Sequence, residues 1–332
     1  INEPCSDGVA IVIFGVTGDL TRRKLMPALY ENAKNGRLPF PFYILGFARR
    51  PWSHEEMREV LRDGVMEFSR DKEVNSEVLN LLLENAYYIE STFEDESGYQ
   101  RLDQALHQLG VQNTLFYLST PPGMYSTIVE NLGKSQLESC RQGWRRIVVE
   151  KPFGRDLESA RVLDDQLHSV FKEDQIYRMD HYLGKETVQN IQAFRFGNGI
   201  FEPLWNRKYV DHIQITMAED EGVGTRAGYY DQAGVVRDVF QINLRHLWAP
   251  QAMKAPAVFN AKAVRDEKVK VLKSIAEIKG QTALENTIRA QYVSGTIDGK
   301  RVPSYRDEPN VAPDSTTETY MAARLFINNW RW

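Results

Sequence analysis

Val9-Ala10-Ile11-Val12-Ile13-Phe14-Gly15-Val16-Thr17-Gly18-Asp19-Leu20 is the stretch whose reading decides how the first half of the chain is built. Val9–Phe14 is an apolar, largely β-branched run and reads as a strand. Two glycines follow at once, and after them the apolar residues Leu25, Leu29 and Tyr30 recur at helical spacing. Gly15 and Gly18 let the backbone turn tightly and come close to a pyrophosphate. The helix that opens there offers free amide hydrogens and a positive dipole end. Gly15, Thr17, Gly18, Asp19 and Leu20 are therefore candidate cofactor-binding residues. The pattern is Gly-x-x-Gly and not the fuller Gly-x-Gly-x-x-Gly, so a plain strand-to-helix turn is the bland alternative. Its place after the first strand favours the phosphate cradle.

Working outward, the same alternation repeats. Phe42–Phe47, Ala86–Ile89, Thr114–Leu118 and Arg146–Val149 read as further strands with helical stretches between them. Ser53 is an expected N-cap, with Glu56 three residues on completing a capping box. This texture predicts an α/β, Rossmann-type, doubly wound parallel sheet over residues 1–180. The second strand bears on cofactor choice. An NAD site usually carries Asp or Glu about 20 residues past the glycines. Here the strand ends in Phe47-Ala48-Arg49-Arg50. An arginine pairs with a 2′-phosphate that a carboxylate would repel, so Arg49 points to NADP. Ser119-Thr120-Pro121-Pro122 sits at the same sheet edge, where its prolines either rigidify a ligand loop or merely stop the strand.

From residue 181 to 332 the pattern changes. Ile191–Phe196, His212–Ala218 and Thr319–Ile327 alternate as strands do, while Tyr229–Leu247 and Ala261–Ile275 read as helices. Lys279–Ser315 is punctuated by Gly, Pro and Asp and reads as loops around a short strand. Segregated strands and helices predict an α+β domain on a mainly antiparallel sheet. The chain begins with Ile1, and Trp330-Arg331-Trp332 follows a strand with no closing turn. Residues are expected beyond both ends, since a strand at a raw terminus would be an unprotected edge.

Composition narrows the partners. The 332 residues carry 42% apolar and 26% charged side chains, ordinary for a globular protein, and a net charge of −4. That charge argues against nucleic acid. No apolar stretch approaches the ~20 residues of a membrane helix, and nothing at the N-terminus reads as a secretory signal. Cys5 and Cys140 form no Cys-x-x-Cys pair, and the histidines form no ligand pair. A reducing, cytoplasmic location and no metal are expected.

Two segments are candidates for holding a substrate. Glu150-Lys151-Pro152-Phe153-Gly154 ends a strand at the ligand edge, so Lys151 either fixes a substrate hydroxyl or is simply solvated. Arg178-Met179-Asp180-His181-Tyr182-Leu183-Gly184-Lys185-Glu186 is the densest polar group in the chain. His181 and Lys185, four apart, would share one face of a helix and, with Tyr182, suit the several oxygens of a phosphate. Asp180 is placed to orient a second histidine.

Together, Gly-x-x-Gly-Asp-Leu with Arg23-Lys24-Leu25, Glu150–Gly154 and Asp180–Glu186 resemble the signature segments of the glucose-6-phosphate dehydrogenase family. Gly228-Tyr229-Tyr230-Asp231, Arg237-Asp238, Arg265-Asp266-Glu267-Lys268-Val269 and Asn328–Trp332 match further stretches of it, in order. The resemblance implies oxidation of glucose 6-phosphate to its lactone with reduction of NADP, in a homodimer or homotetramer. It implies that His181, Tyr182 and Lys185 grip the phosphate and that Lys151 lies by sugar and nicotinamide. Glu219 and Asp238 would hold sugar hydroxyls, and Thr17 and Arg49 would meet the 2′-phosphate. In the family a histidine held by the aspartate matched to Asp180 is the base. It lies five residues after the aspartate of Arg-Asp, where this chain has Asn243. An amide accepts no proton near neutrality, whereas imidazole titrates there. His246 lies three residues on, about 4.5 Å further along a helix. Pro250 is awkward inside a helix and would suit a helix end. Two readings follow: a sugar-phosphate dehydrogenase with impaired activity, or a catalytically silent homologue that binds NADP or sugar phosphate and acts through a partner protein.

Overall fold

The computed structural model describes residues 8–71, 73–154 and 156–332, leaving aside the side chains of Tyr182, Thr225 and residues 242–246. It divides into two compact units, residues 1–179 and 180–332.

The first unit is a six-stranded sheet of β1 (Val9–Phe14), β2 (Phe42–Ala48), β3 (Ala86–Glu90), β4 (Asn113–Leu118), β5 (Arg145–Glu150) and β6 (Ile176–Met179). Every neighbouring pair is parallel, and the order is β3-β2-β1-β4-β5-β6. A parallel sheet needs cover on both faces, and alternation along β1 supplies it. Ala10, Val12 and Phe14 join one core with Phe47, Phe116 and Val149, while Ile11 and Ile13 join a second with Ile44, Tyr117 and Val148. Helices α1 (Met26–Lys34), α2 (His54–Phe68) and α3 (Ser76–Glu84) cover the second core, and α4 (Glu96–Gln108), α5 (Tyr125–Lys134) and α6 (Leu157–His168) the first. The expected capping box is present: Ser53 Oγ accepts from the Glu56 amide at 3.1 Å, and Glu56 Oε2 accepts from the Ser53 amide at 2.7 Å. The strand order reverses between β1 and β4, the crevice in which such sheets bind ligands.

The second unit holds α7 (Glu186–Phe196), α8 (Ala227–Val235), a π-helical segment Val236–Leu244, α9 (Arg245–Ala252), α10 (Ala261–Lys273) and α11 (Gln281–Asn286). Its strands are β7 (Thr287–Ala290), β8 (Gly295–Ile297), β9 (Lys300–Val302) and β10 (Tyr320–Ala323). They form two small antiparallel sheets, β10 with β7 and β8 with β9. This is the α+β class with antiparallel pairing, but several expected elements differ.

Ile191–Phe196 is not a strand; it is the second half of α7. The residues buried on this helix are Val188 and Arg195, seven apart, which is helical spacing. Arg195 is fully buried, and its two terminal nitrogens find partners elsewhere in the unit. It donates to the carbonyls of Pro250 at 2.6 Å and Gln251 at 2.9 Å and pairs with Glu202 at 2.8 Å. His212–Ala218 forms no strand either, since none of the described residues shares a ladder with it. Alternation sets the faces of a strand, but its backbone groups still need a neighbour. Thr319–Ile327 shortens to β10 plus one antiparallel bridge from Ile327 to Ile275. The expected loop region 279–315 contains α11 and β7 to β9. Pro250 does not end its helix but lies inside α9. At the terminus Trp330 is 88% exposed. Arg331 pairs with Glu202 at 2.5 Å, and the Trp332 indole donates to the Ala252 carbonyl at 2.7 Å.

Among the described residues no helix is long and apolar enough to cross a membrane, and no group of three His, Cys, Asp or Glu could hold a metal.

Candidate active-site residues

The cradle sits at the carboxyl end of β1. The Gly15 amide donates to the Phe47 carbonyl at 2.8 Å, and Gly15 adopts φ +78°, a conformation side chains rarely tolerate. A β-carbon there would lie 2.3 Å from the Ser119 carbonyl. The Gly18 amide closes the turn onto the Gly15 carbonyl at 2.9 Å. The chain is helical from Asp19, winds as a π-helix over Thr21–Leu25 and continues as α1. Thr17 and Gly18 are half-buried, Leu20 packs against the second core, and exposed Asp19 faces Arg23 at 3.7 Å. Buried Thr21 donates to Ser119 Oγ at 3.3 Å, tying the cradle to the loop after β4. The turn carries no side chain at Gly15 or Gly18, and a helix N-terminus follows, which fits a dinucleotide.

Arg49 is exposed just past β2 and lines a pocket of about 690 Å³ together with Tyr88, Glu90, Thr92 and Arg101. Tyr88 shapes its floor by donating to the carbonyls of Ala48 at 2.8 Å and Arg50 at 2.6 Å. Burial, then the charge of Glu90, pushes its phenol up to about 12, so it remains a donor. Arg101 is a second cation at this pocket that the sequence reading missed. It lies eleven residues beyond β3, and its place is fixed by a bond to the Glu90 carbonyl at 2.9 Å.

Lys151 is half-buried directly after β5. Asp180 is buried, at 5% exposure, and precedes a 3₁₀ turn, His181–Gly184. His181 and Lys185 do not share a helix as expected. Lys185 is the extended N-cap of α7, with φ −69° and ψ +132°, so the helix starts only after it. Both side chains are exposed, and they precede the N-terminus of an eleven-residue helix. The side chain of Tyr182 lies outside the described residues.

Glu219 and Asp238 come together through a residue that the sequence reading did not single out. Arg226 lies 3.9 Å from each carboxylate. Asp238 is 6% exposed, while Glu219 is largely open to solvent. Burial, then the nearby Asp238 charge, raises the Tyr229 phenol on the same helical run. Asp238 belongs to the π-helical segment Val236–Leu244. In π winding residue i bonds to i+5, which places backbone position 243 one turn above 238. An α-helix would put these positions on different faces. The side chains of Asn243 and His246 lie outside the described residues.

Residues 12–190 match the family pattern described as glucose-6-phosphate dehydrogenase, NAD binding domain, and residues 192–332 match its C-terminal domain. The chain belongs to the glucose-6-phosphate dehydrogenase family. It is 46% identical over 332 residues to a glucose-6-phosphate 1-dehydrogenase of Aggregatibacter actinomycetemcomitans, covering 98% of this chain and 67% of that one. To the Bacillus subtilis enzyme of that name it is 43% identical, covering 97% and 65%. A solved glucose-6-phosphate dehydrogenase in complex with its substrate glucose 6-phosphate superposes with a TM-score of 0.90 at 34% identity, over 100% of this chain and 68% of that one. One from Mycobacterium avium gives 0.84 at 36% identity, over 97% and 67%. The chain therefore spans about two thirds of the length of these family members.

Proposed function

We propose that this chain oxidises glucose 6-phosphate to 6-phosphoglucono-lactone with NADP as cofactor, the entry step of the pentose phosphate pathway. NADP supplies the hydride acceptor when bound. Gly15, Thr17, Gly18, Asp19 and Leu20 form its pyrophosphate cradle, and Arg49 with Thr17 meets the 2′-phosphate. The tight Gly15–Gly18 turn at the carboxyl end of β1, with a helix N-terminus directly after it, is the observation that supports this reading most.

His181, Tyr182 and Lys185 grip the sugar phosphate, helped by the amides that open α7. Glu219 and Asp238 accept from sugar hydroxyls, and Arg226 lies 3.9 Å from each carboxylate. Lys151 donates to a substrate hydroxyl beside the nicotinamide. Asp180 orients the group at position 243, where the family's base takes the proton from the hydroxyl being oxidised. Asn243 cannot take that proton, and general-base catalysis is worth about 10²–10⁴-fold, so turnover is impaired and not abolished. The protein acts in the cytoplasm as a homodimer or homotetramer, without nucleic acid or membrane partners.

Asn243 itself favours a second reading, in which the chain binds NADP or sugar phosphate silently and acts through a partner. Measuring NADP reduction by glucose 6-phosphate decides between them. Slow turnover supports the dehydrogenase. No turnover in the protein or in its Asn243→His variant, with NADP binding intact, supports the silent homologue.

A further inference from the structure

Helix α4 presses its first turn against the end of β3 so closely that a β-carbon on Gly98 would lie 2.1 Å from Ser91 Oγ. That approach brings Arg101, one turn further on, to the last residue of β3. There Arg101 Nη2 donates to the Glu90 carbonyl at 2.9 Å, and Nη1 donates to Ser97 Oγ at 2.8 Å. Asp95, the N-cap of α4, stands 3.6 Å from the same guanidinium, close enough to attract its charge but too far for a hydrogen bond. Its carboxylate is itself held by the Ser97 and Ser91 hydroxyls, both at 2.9 Å, and by the Ser97 amide at 3.0 Å. These bonds, the Ser97 hydroxyl first, keep the Asp95 carboxyl below its ordinary range, so it is a fixed anion.

Arg101 is thus pinned without being used up. A guanidinium carries five N–H donors. Among the described residues, the bonds of Arg101 go to Glu90 and Ser97 and engage one N–H on each terminal nitrogen, so donors remain for an incoming oxygen. The side chain is 48% exposed and lines the pocket that Arg49 also lines. Two carboxylates, Glu90 and Asp95, line it as well. A phosphate monoester brings a charge of about −1.5 to −2 at neutral pH. Against two carboxylates, Arg49 alone would leave the pocket negative before the phosphate arrived, and the second guanidinium balances it. We propose that Arg101 is a second cation for the 2′-phosphate of NADP, alongside Arg49, and that it makes this pocket prefer NADP to NAD. The proposal deepens the reading of Arg49 as a partner of the 2′-phosphate and rests on it.

The test uses the intact protein and two small probes, adenosine 2′,5′-bisphosphate and adenosine 5′-monophosphate. They differ only in the 2′-phosphate and need neither sugar nor turnover. Calorimetric titration is expected to show the bisphosphate bound roughly tenfold or more tightly than the monophosphate by the unaltered protein. Arg101→Gln removes the charge while keeping an amide donor near the Glu90 carbonyl. It is expected to weaken bisphosphate binding about tenfold or more, as loss of a charged hydrogen bond does, and to change monophosphate binding by less than about twofold. Arg101→Ala, which lacks that donor too, is expected to show the same selective loss even where its unfolding midpoint is lower. A purely structural role for Arg101 at the edge of β3 would weaken both probes together. That result, or unchanged affinity for both, overturns the proposal. A parent protein that binds the two probes equally counts against the 2′-phosphate reading of the pocket itself, and the inference falls with it.

Discussion

The Ser119 carbonyl oxygen lies 2.3 Å from the point that a β-carbon on Gly15 would occupy. The two residues directly follow the adjacent strands β1 and β4, which pair from Val9↔Asn113 to Phe14↔Leu118, so neither backbone is free to withdraw. Gly15→Ala is expected to cost on the order of 1–3 kcal/mol, from forced positive φ and the clash together. NADP affinity is expected to fall at least tenfold. Urea unfolding and a fluorescence titration check the two effects separately.

Arg49 stands where an NAD site would carry a carboxylate, beside a pocket that Arg101 also lines. Arg49→Ala is expected to weaken NADP by about tenfold or more while leaving NAD nearly unchanged, since a charged hydrogen bond to phosphate contributes about 1.5–3 kcal/mol. Isothermal titration with each dinucleotide measures the ratio. Equal loss for both would remove Arg49 from the 2′-phosphate.

The first unit was legible because its signals are local. Apolar runs bounded by turn residues gave all the strands of the sheet except the four-residue β6, and Ser53 with Glu56 announced the start of α2. The second unit was less so. Ile191–Phe196 alternates on paper, but the true pattern includes a buried arginine, which looks polar until Glu202 and the carbonyls of Pro250 and Gln251 are known. The same reason hid Arg226, whose value lies in bridging two carboxylates distant in sequence. The His181 and Lys185 spacing failed at Gly184 and the extended Lys185, where a short turn replaced the expected helix.

Asp231 joins α8 to the loops of the second unit. It accepts from the Tyr305 hydroxyl at 2.8 Å and from the Ser315 hydroxyl, and its backbone carbonyl accepts from Thr317 at 2.6 Å. The Ser315 bond, chiefly, holds its carboxyl below the usual value of 3.8. A carboxyl depressed in the folded state adds stability above its unfolded pKa and loses it as pH falls through the folded one. The melting temperature of the protein is therefore expected to drop below about pH 4 more steeply than that of Asp231→Asn. Parallel curves for the two would contradict this.

Glu202 serves two arginines, the buried Arg195 at 2.8 Å and Arg331 at 2.5 Å. Glu202→Ala leaves a fully buried guanidinium without its counter-charge, and removing one partner of such a pair costs about 3–5 kcal/mol. Denaturant unfolding of the second unit is expected to show a loss in that range. A loss under about 1 kcal/mol would mean that the helix carbonyls alone satisfy Arg195.

The most direct test of the account is NADP reduction by glucose 6-phosphate in the protein and in Asn243→His, side by side. The account predicts slow turnover in the protein and a gain of about a hundredfold or more on restoring the imidazole. Rapid turnover with Asn243 in place, or silence from both, would contradict it.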